Sequence, residues 1–165
     1  MITKDQFLDG CRHETKVINH IASQLPDGAP EWRPTPEQRS TLELMRYMTV
    51  MSEMMAINII TGNWEHAPAL NEQSEAVTVD NFAEAMNHQM NRVSEVAGDI
   101  DETAASTQEV MLPWGEPDAQ SGMLMRGVYA SLVAYRMQLF LYAKQAGNAK
   151  LSTMDCWAGM SPPSQ

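Results

Sequence analysis

The sequence predicts an all-α protein, a four-helix bundle with a short extra helical segment near its C-terminus. Two observations carry this. Apolar residues recur every three to four positions through four long segments, the spacing that gathers them on one face of a helix. No run alternates apolar with polar residues, no Asn-Gly turn joins two such runs, and β-branched residues do not cluster, so strands are not expected. Four long helices joined by two longer connections make a bundle, and no internal repeat or low-complexity stretch complicates it.

In the first segment, Thr3 to about Gln24, the residues Phe7, Leu8, Cys11, Thr15, Ile18, Ile21, Ala22 and Leu25 keep helical spacing, and Thr3 can cap the N-terminus. The stretch Pro26 to Pro36, PDGAPEWRPTP, holds four prolines and is expected to be an ordered, non-helical crossing in which Trp32 plugs one end of the bundle. Ser40 or Thr35 can cap the second helix, which turns Leu44, Met45, Met48, Met51, Met55 and Ile59 inward and ends near Gly62. Asn63 to Val77 lacks periodicity and carries Pro68, which predicts a loop.

Thr78 or Asp80 opens a third helix with Phe82, Met86, Met90, Val93 and Ala97 on its apolar stripe and Glu84, His88 and Glu95 opposite; it frays near Asp101 to Ser106. The loop LPWGEPDAQS, with Trp114 in it, leads to a fourth helix that Asp118 can cap. After Gly147, Trp157 is expected to dock. A single domain over 1–160 with a disordered tail at 161–165 follows.

Composition narrows the function classes. A hydrophobic content of 44% suits a globular core, and a formal charge of −10 opposes a nucleic-acid backbone. Cys11 and Cys156 stand far apart with no CxxC, which excludes a disulfide framework and fits a reduced, cytoplasmic setting. Asp5 and Asp9 fall where a secretory signal would be apolar, and Arg126, Arg136 and Gln138 interrupt the most apolar helix, so no membrane span is expected. Fourteen methionines read as an adaptable core or an interface between two copies.

The fourth helix, Met123 to Gly147, raises the functional question. Its stripe runs Leu124, Val128, Ser131, Tyr135, Gln138 and Tyr142, apolar at the ends and polar in the middle, with Leu132 and Leu139 beside it. Each polar group costs free energy if buried without a partner, so the helix either closes a polar network or lines a pocket.

Together, LPDGAPEWRPTPEQRSTLELMRYM and YRMQLFLYAKQAG resemble the DinB-like (DinB/YfiT) family of metal-dependent bundles, which includes thiol-dependent transferases and isomerases. Trp32, Arg33, Pro34, Arg39, Ser40, Glu43, Leu44, Arg136, Gln138, Leu139 and Gly147 fit that family's pattern. The resemblance implies a metal held by one histidine on the second helix and two on the fourth. This sequence has Tyr47, Ser131 and Tyr135 at those positions. Neutral hydroxyls are poor ligands for zinc or nickel, so no metal and no cofactor are expected.

The histidines His13, His20, His66 and His88 offer little in exchange. His13 and His20 read as solvated, and Glu84 with His88 as a surface pair. Cys11 reads as a buried structural thiol, and no GxSxG-type motif supplies a nucleophile. The candidate ligand-binding set is Tyr47, Ser131, Tyr135 and Gln138, whose simpler reading is a hydrogen-bonded filling of the space a metal occupies in relatives. Three functions compete: a metal-free small-ligand-binding or diverged thiol-transferase-type bundle, a structural homodimer, and a divalent-metal enzyme with non-standard ligands. Catalysis itself stays open.

Overall fold

The computed structural model describes residues 2–113 and 115–161. Trp114 and residues 162–165 of the tail predicted at 161–165 lie outside the described residues. Four helical columns form the bundle: α1 (Lys4–Ala22), α2 (Thr41–Thr61), α4 (Phe82–Gly98), and a fourth built from α6 (Gln120–Leu124), a π-helical turn (Met125–Tyr129) and α7 (Ala130–Gln145). Around the bundle the order is α1, α4, α2, α7, so α1 and α2 lie diagonally opposite. The Pro-rich crossing spans that diagonal and contains one 3-10 turn, Ala29–Glu31.

The helix starts follow from their caps. Thr3 and Gln6 form a capping box on α1, and Ser40 and Glu43 form one on α2. Gly62 ends α2 at φ 77, a left-handed conformation that costs glycine no Cβ clash. The inward residues predicted for α2 are all buried, as are Phe82, Met86, Met90, Val93 and Ala97 of α4. Inside the core, the Gln89 amide accepts from the Ser52 backbone N–H and donates to the Met48 carbonyl, both at 2.8 Å. Those two groups are an i and i−4 pair of α2, so one buried side chain ties α4 into the backbone of its neighbour.

Several expectations need correction. The stretch predicted as a loop holds the helix α3 (Ala67–Ser74), which covers a further face of α2. Pro68 sits at the first turn, where proline starts a helix rather than breaking it, and eight residues are too few to show a period. Asp101 to Ser106 does not fray but forms the short α5 (Glu102–Ala105), capped by Asp101. Asp118 does not cap the fourth column; it lies in a two-residue antiparallel pairing of β1 (Glu109–Val110) with β2 (Asp118–Ala119), and it pairs with Arg126. Thr78 and Asp80 do not cap α4, whose first flanking residue is Asn81.

The largest correction concerns the phase of the fourth column. A π-helical turn carries one extra residue, so positions after it rotate relative to an unbroken helix. The buried line beyond it runs Leu132, Arg136, Leu139 and Ala143, while Ser131, Tyr135 and Gln138 lie half-buried along its flank. Gly127 sits in that turn, where a Cβ would come within 2.9 Å of Ile59 Cδ1 and Met55 Cε. The column thus approaches α2 closely enough that a Cβ here would make the ends of the Ile59 and Met55 side chains shift.

The short extra segment near the C-terminus is α8 (Thr153–Ala158), packed on α1 and α7. Ser161, expected in the disordered tail, donates to Asp155 Oδ1 at 2.9 Å. Trp157 docks only in part: its ring lies over the Arg136 guanidinium, 5.0 Å from the ring centre, yet the residue is 61% exposed.

Candidate functional site

Tyr47 on α2 and Tyr135 on α7 meet edge-on, with ring centres 5.4 Å apart. Arg39, just before the α2 cap, stacks its guanidinium 4.3 Å over the other part of this pair, the Tyr47 ring. Burial pushes the Tyr47 phenol above its ordinary pKa; the nearby Tyr135 and a side-chain hydrogen bond with it add to the rise, and Arg39 opposes it. Tyr47 is therefore a neutral hydroxyl near pH 7.

The other two predicted residues divide. Gln138 Nε2 donates to Tyr142 Oη at 3.0 Å, and Tyr142 packs edge-on against Trp32, ring centres 5.2 Å apart. Gln138 thus completes a separate pair, one turn along from Tyr135. Ser131 is half-buried a turn before Tyr135 on the same flank. The structure brings together Tyr47 and Tyr135 from the predicted set, with Arg39 as a third member that the tyrosine pair alone did not predict.

Tyr47 also lines a polar basin of about 580 Å³ whose walls include Arg33, Arg39, Arg46 and Ser74. Two of its arginines have carboxylate partners: Arg33 with Glu43 at 3.4 Å and Arg46 with Glu75 at 3.1 Å. Glu43 is held below its usual pKa by the Ser40 backbone N–H, against a desolvation that raises it, and by Arg33. Arg39 forms no ion pair among the described residues. A mostly apolar cleft of about 250 Å³ near Phe7, Ile100 and Leu124 is lined by none of the predicted site residues.

A metal at the tyrosine pair does not fit this donor set. A phenol must lose its proton to bind a divalent ion well, and the surroundings of Tyr47 make that loss harder. Nor do the histidines converge. His13 Nε2 donates to the Trp157 carbonyl at 3.0 Å, His20 Nε2 to Asp155 Oδ1 at 2.9 Å, and His66 Nε2 to the Met54 carbonyl at 3.0 Å. His20 was expected to be solvated and is instead the partner of a buried carboxylate. His88 and Glu84 line a groove beside α3. Among the described residues, no group of three His, Cys, Asp or Glu side chains could hold an ion.

A second polar cluster escaped the sequence reading. Glu14 and Arg136, 3% and 2% exposed, form an ion pair with Arg136 Nη1 3.0 Å from Glu14 Oε2. Burial raises the Glu14 carboxyl pKa, while Arg136 pulls it down. Cys11 lies nearby, its thiol pushed up to about 12 by burial and by the Glu14 charge, which removes it as a nucleophile. The available signal was one of phase: Glu14 keeps helical spacing with Phe7, Cys11 and Ile18, and Arg136 falls between Leu132 and Leu139.

The order and packing of these helices define a fold class, that of the DinB-like bundles. The particular likeness is to YjoA, a DinB-like protein from Bacillus subtilis. Its crystal structure matches this chain with a TM-score of 0.68 at 18% sequence identity, over 89% of this chain and 96% of that one. At that identity the likeness is one of fold. No protein-family model matches the sequence, and no curated protein matches it.

Proposed function

We propose that the chain is a metal-independent bundle that binds a small polar ligand at Tyr47 and Tyr135, with Arg39 contributing positive charge. The observation that carries this reading is the edge-on tyrosine pair, of which Tyr47 lines the basin walled by Arg33, Arg39 and Arg46. Two phenol hydroxyls beside Arg39, which forms no ion pair among the described residues although its charge acts on Glu43, favour a ligand that both accepts hydrogen bonds and carries negative charge. Ser131 extends the same flank, whereas Gln138 is spoken for by Tyr142. The likeness to a DinB-like fold supports a site between these helices, since bundles of this kind build sites from side chains on facing helices.

The test is thermal shift with a panel of probes, namely succinate, citrate, inorganic phosphate and zinc chloride. An anionic probe is expected to raise the midpoint, and Tyr47→Phe, Tyr135→Phe and Arg39→Ala each to reduce that rise. Stoichiometric zinc binding at the tyrosine pair would overturn the reading, as would an anion-induced shift that all three variants retain.

A further inference from the structure

Charge around the arginine-lined basin is balanced, not in surplus. Its walls carry Arg33, Arg39 and Arg46, and also Glu37, Glu43 and Glu75. Most of these cancel in ion pairs, Arg33 with Glu43 and Arg46 with Glu75. One group of each sign is left over. The Arg39 guanidinium lies over the Tyr47 ring and has no carboxylate partner among the described residues. The Glu37 carboxylate has neither an ion pair nor a hydrogen bond among them. Both side chains are exposed, and both line the same basin as Tyr47.

These two residues flank Gln38 on one short loop, and that loop is tied along its length. At its base the Thr41 N–H and hydroxyl donate to the Trp32 carbonyl at 2.9 and 3.2 Å. In its middle the Gln38 N–H donates to the Thr35 carbonyl at 3.1 Å, and the Gln38 carbonyl accepts from Arg33 Nη1 at 3.2 Å. At its end the capping box of Ser40 and Glu43 fixes the chain where α2 begins. The backbone between Glu37 and Arg39 is therefore held before anything binds, which lowers the ordering cost of a ligand that spans both side chains.

We infer that the ligand of this site is a zwitterion of the amino-acid class, with a carboxylate for Arg39 and the Tyr47 hydroxyl and an ammonium for Glu37. The inference rests on the reading of Tyr47, Tyr135 and Arg39 as the binding site, and it adds the second charge. A plain anion in this basin brings its charge up to Glu37 with nothing to offset the repulsion, whereas an ammonium turns that carboxylate into a partner. The net charge of −10 points the same way, because a zwitterion adds no charge to a surface that repels anions. A basin of about 580 Å³ has room for a small amino acid together with water.

Isothermal titration calorimetry near neutral pH tests this with matched probes: γ-aminobutyrate against butyrate, which lacks the amine, and butylamine, which lacks the carboxylate. Glycine against acetate and ε-aminocaproate against hexanoate repeat the comparison at a shorter and a longer span. In at least one of these pairs the zwitterion is expected to bind about threefold or more tightly than its plain carboxylate, with butylamine weakest. Glu37→Gln is expected to bring that zwitterion down to the level of the carboxylate, and Arg39→Ala to weaken both together. Circular dichroism shows whether each variant remains helical. If no probe binds, or if Arg39→Ala leaves the carboxylates unaffected, the reading of the site falls and this inference with it. If carboxylates bind through Arg39 but the amine brings no gain at any chain length, or brings a gain that survives Glu37→Gln, the site stands and the zwitterion is overturned. Butylamine binding as tightly as γ-aminobutyrate would overturn it too.

Discussion

Arg136 and Glu14 show how much can rest on two side chains. Both are nearly inaccessible, and their ion pair is the charged link between α1 and α7. Removing Arg136 alone leaves a buried carboxylate without its counter-charge, a loss of about 3–5 kcal/mol. Replacing both with leucine removes two desolvation penalties along with one attraction, so the double variant is expected to be much nearer the parent. Urea unfolding of Arg136→Leu and of the Glu14→Leu, Arg136→Leu pair, with unchanged slopes, checks this; equal losses in the two would show that the pair itself stabilises.

At the scale of one element, one carboxylate of α8 gathers several bonds that hold it. Asp155 accepts from the Ser152 backbone N–H and hydroxyl, from Ser161 and from His20. Desolvation works to raise its pKa, but these hydrogen bonds outweigh it and hold the carboxyl well below the usual carboxylate range. A depressed folded pKa stabilises above the unfolded value of about 3.9, and that stabilisation is lost as pH falls from there toward the lower folded value. Amide exchange in α8 is therefore expected to accelerate in acid before α2 and α4 open. Asp155→Asn is expected to loosen α8 by about 2 kcal/mol at pH 7 and to flatten its acid dependence. Exchange in α8 that tracks global unfolding at every pH would refute this.

For the whole molecule the governing quantity is the excess of 10 negative charges. Most ion pairs, such as Arg12 with Asp9 and Arg46 with Glu75, are exposed and contribute little. Self-repulsion is therefore expected to outweigh them. Raising ionic strength from about 0.01 M to 0.15 M shortens the screening length from about 30 Å to 8 Å and is expected to raise the melting temperature by a few degrees. Differential scanning calorimetry checks this, and a lower midpoint in salt would mean that ion pairs dominate.

Periodicity and capping residues were enough to predict four columns, because burial of an apolar face and satisfaction of terminal N–H groups are local in sequence: Thr3 with Gln6, Ser40 with Glu43, and the inward methionines of α2 all stand where those rules put them. Of the candidate site, the meeting of Tyr47 with Tyr135 was legible, since the resemblance paired α2 with the fourth column at those positions. Other features needed the folded chain. The π-helical turn rotates everything after it, turning Arg136 inward to Glu14. The closeness of α2 at Gly127 goes with that turn, and it involves Ile59 and Met55, 68 and 72 positions away in the chain. The bond of Asp155 with His20 likewise joins residues 135 apart, so no local pattern announces it. Sequence determined which faces must be buried; tertiary structure decided which polar groups meet, because a hydrogen bond depends on distances that only the packing of distant helices sets.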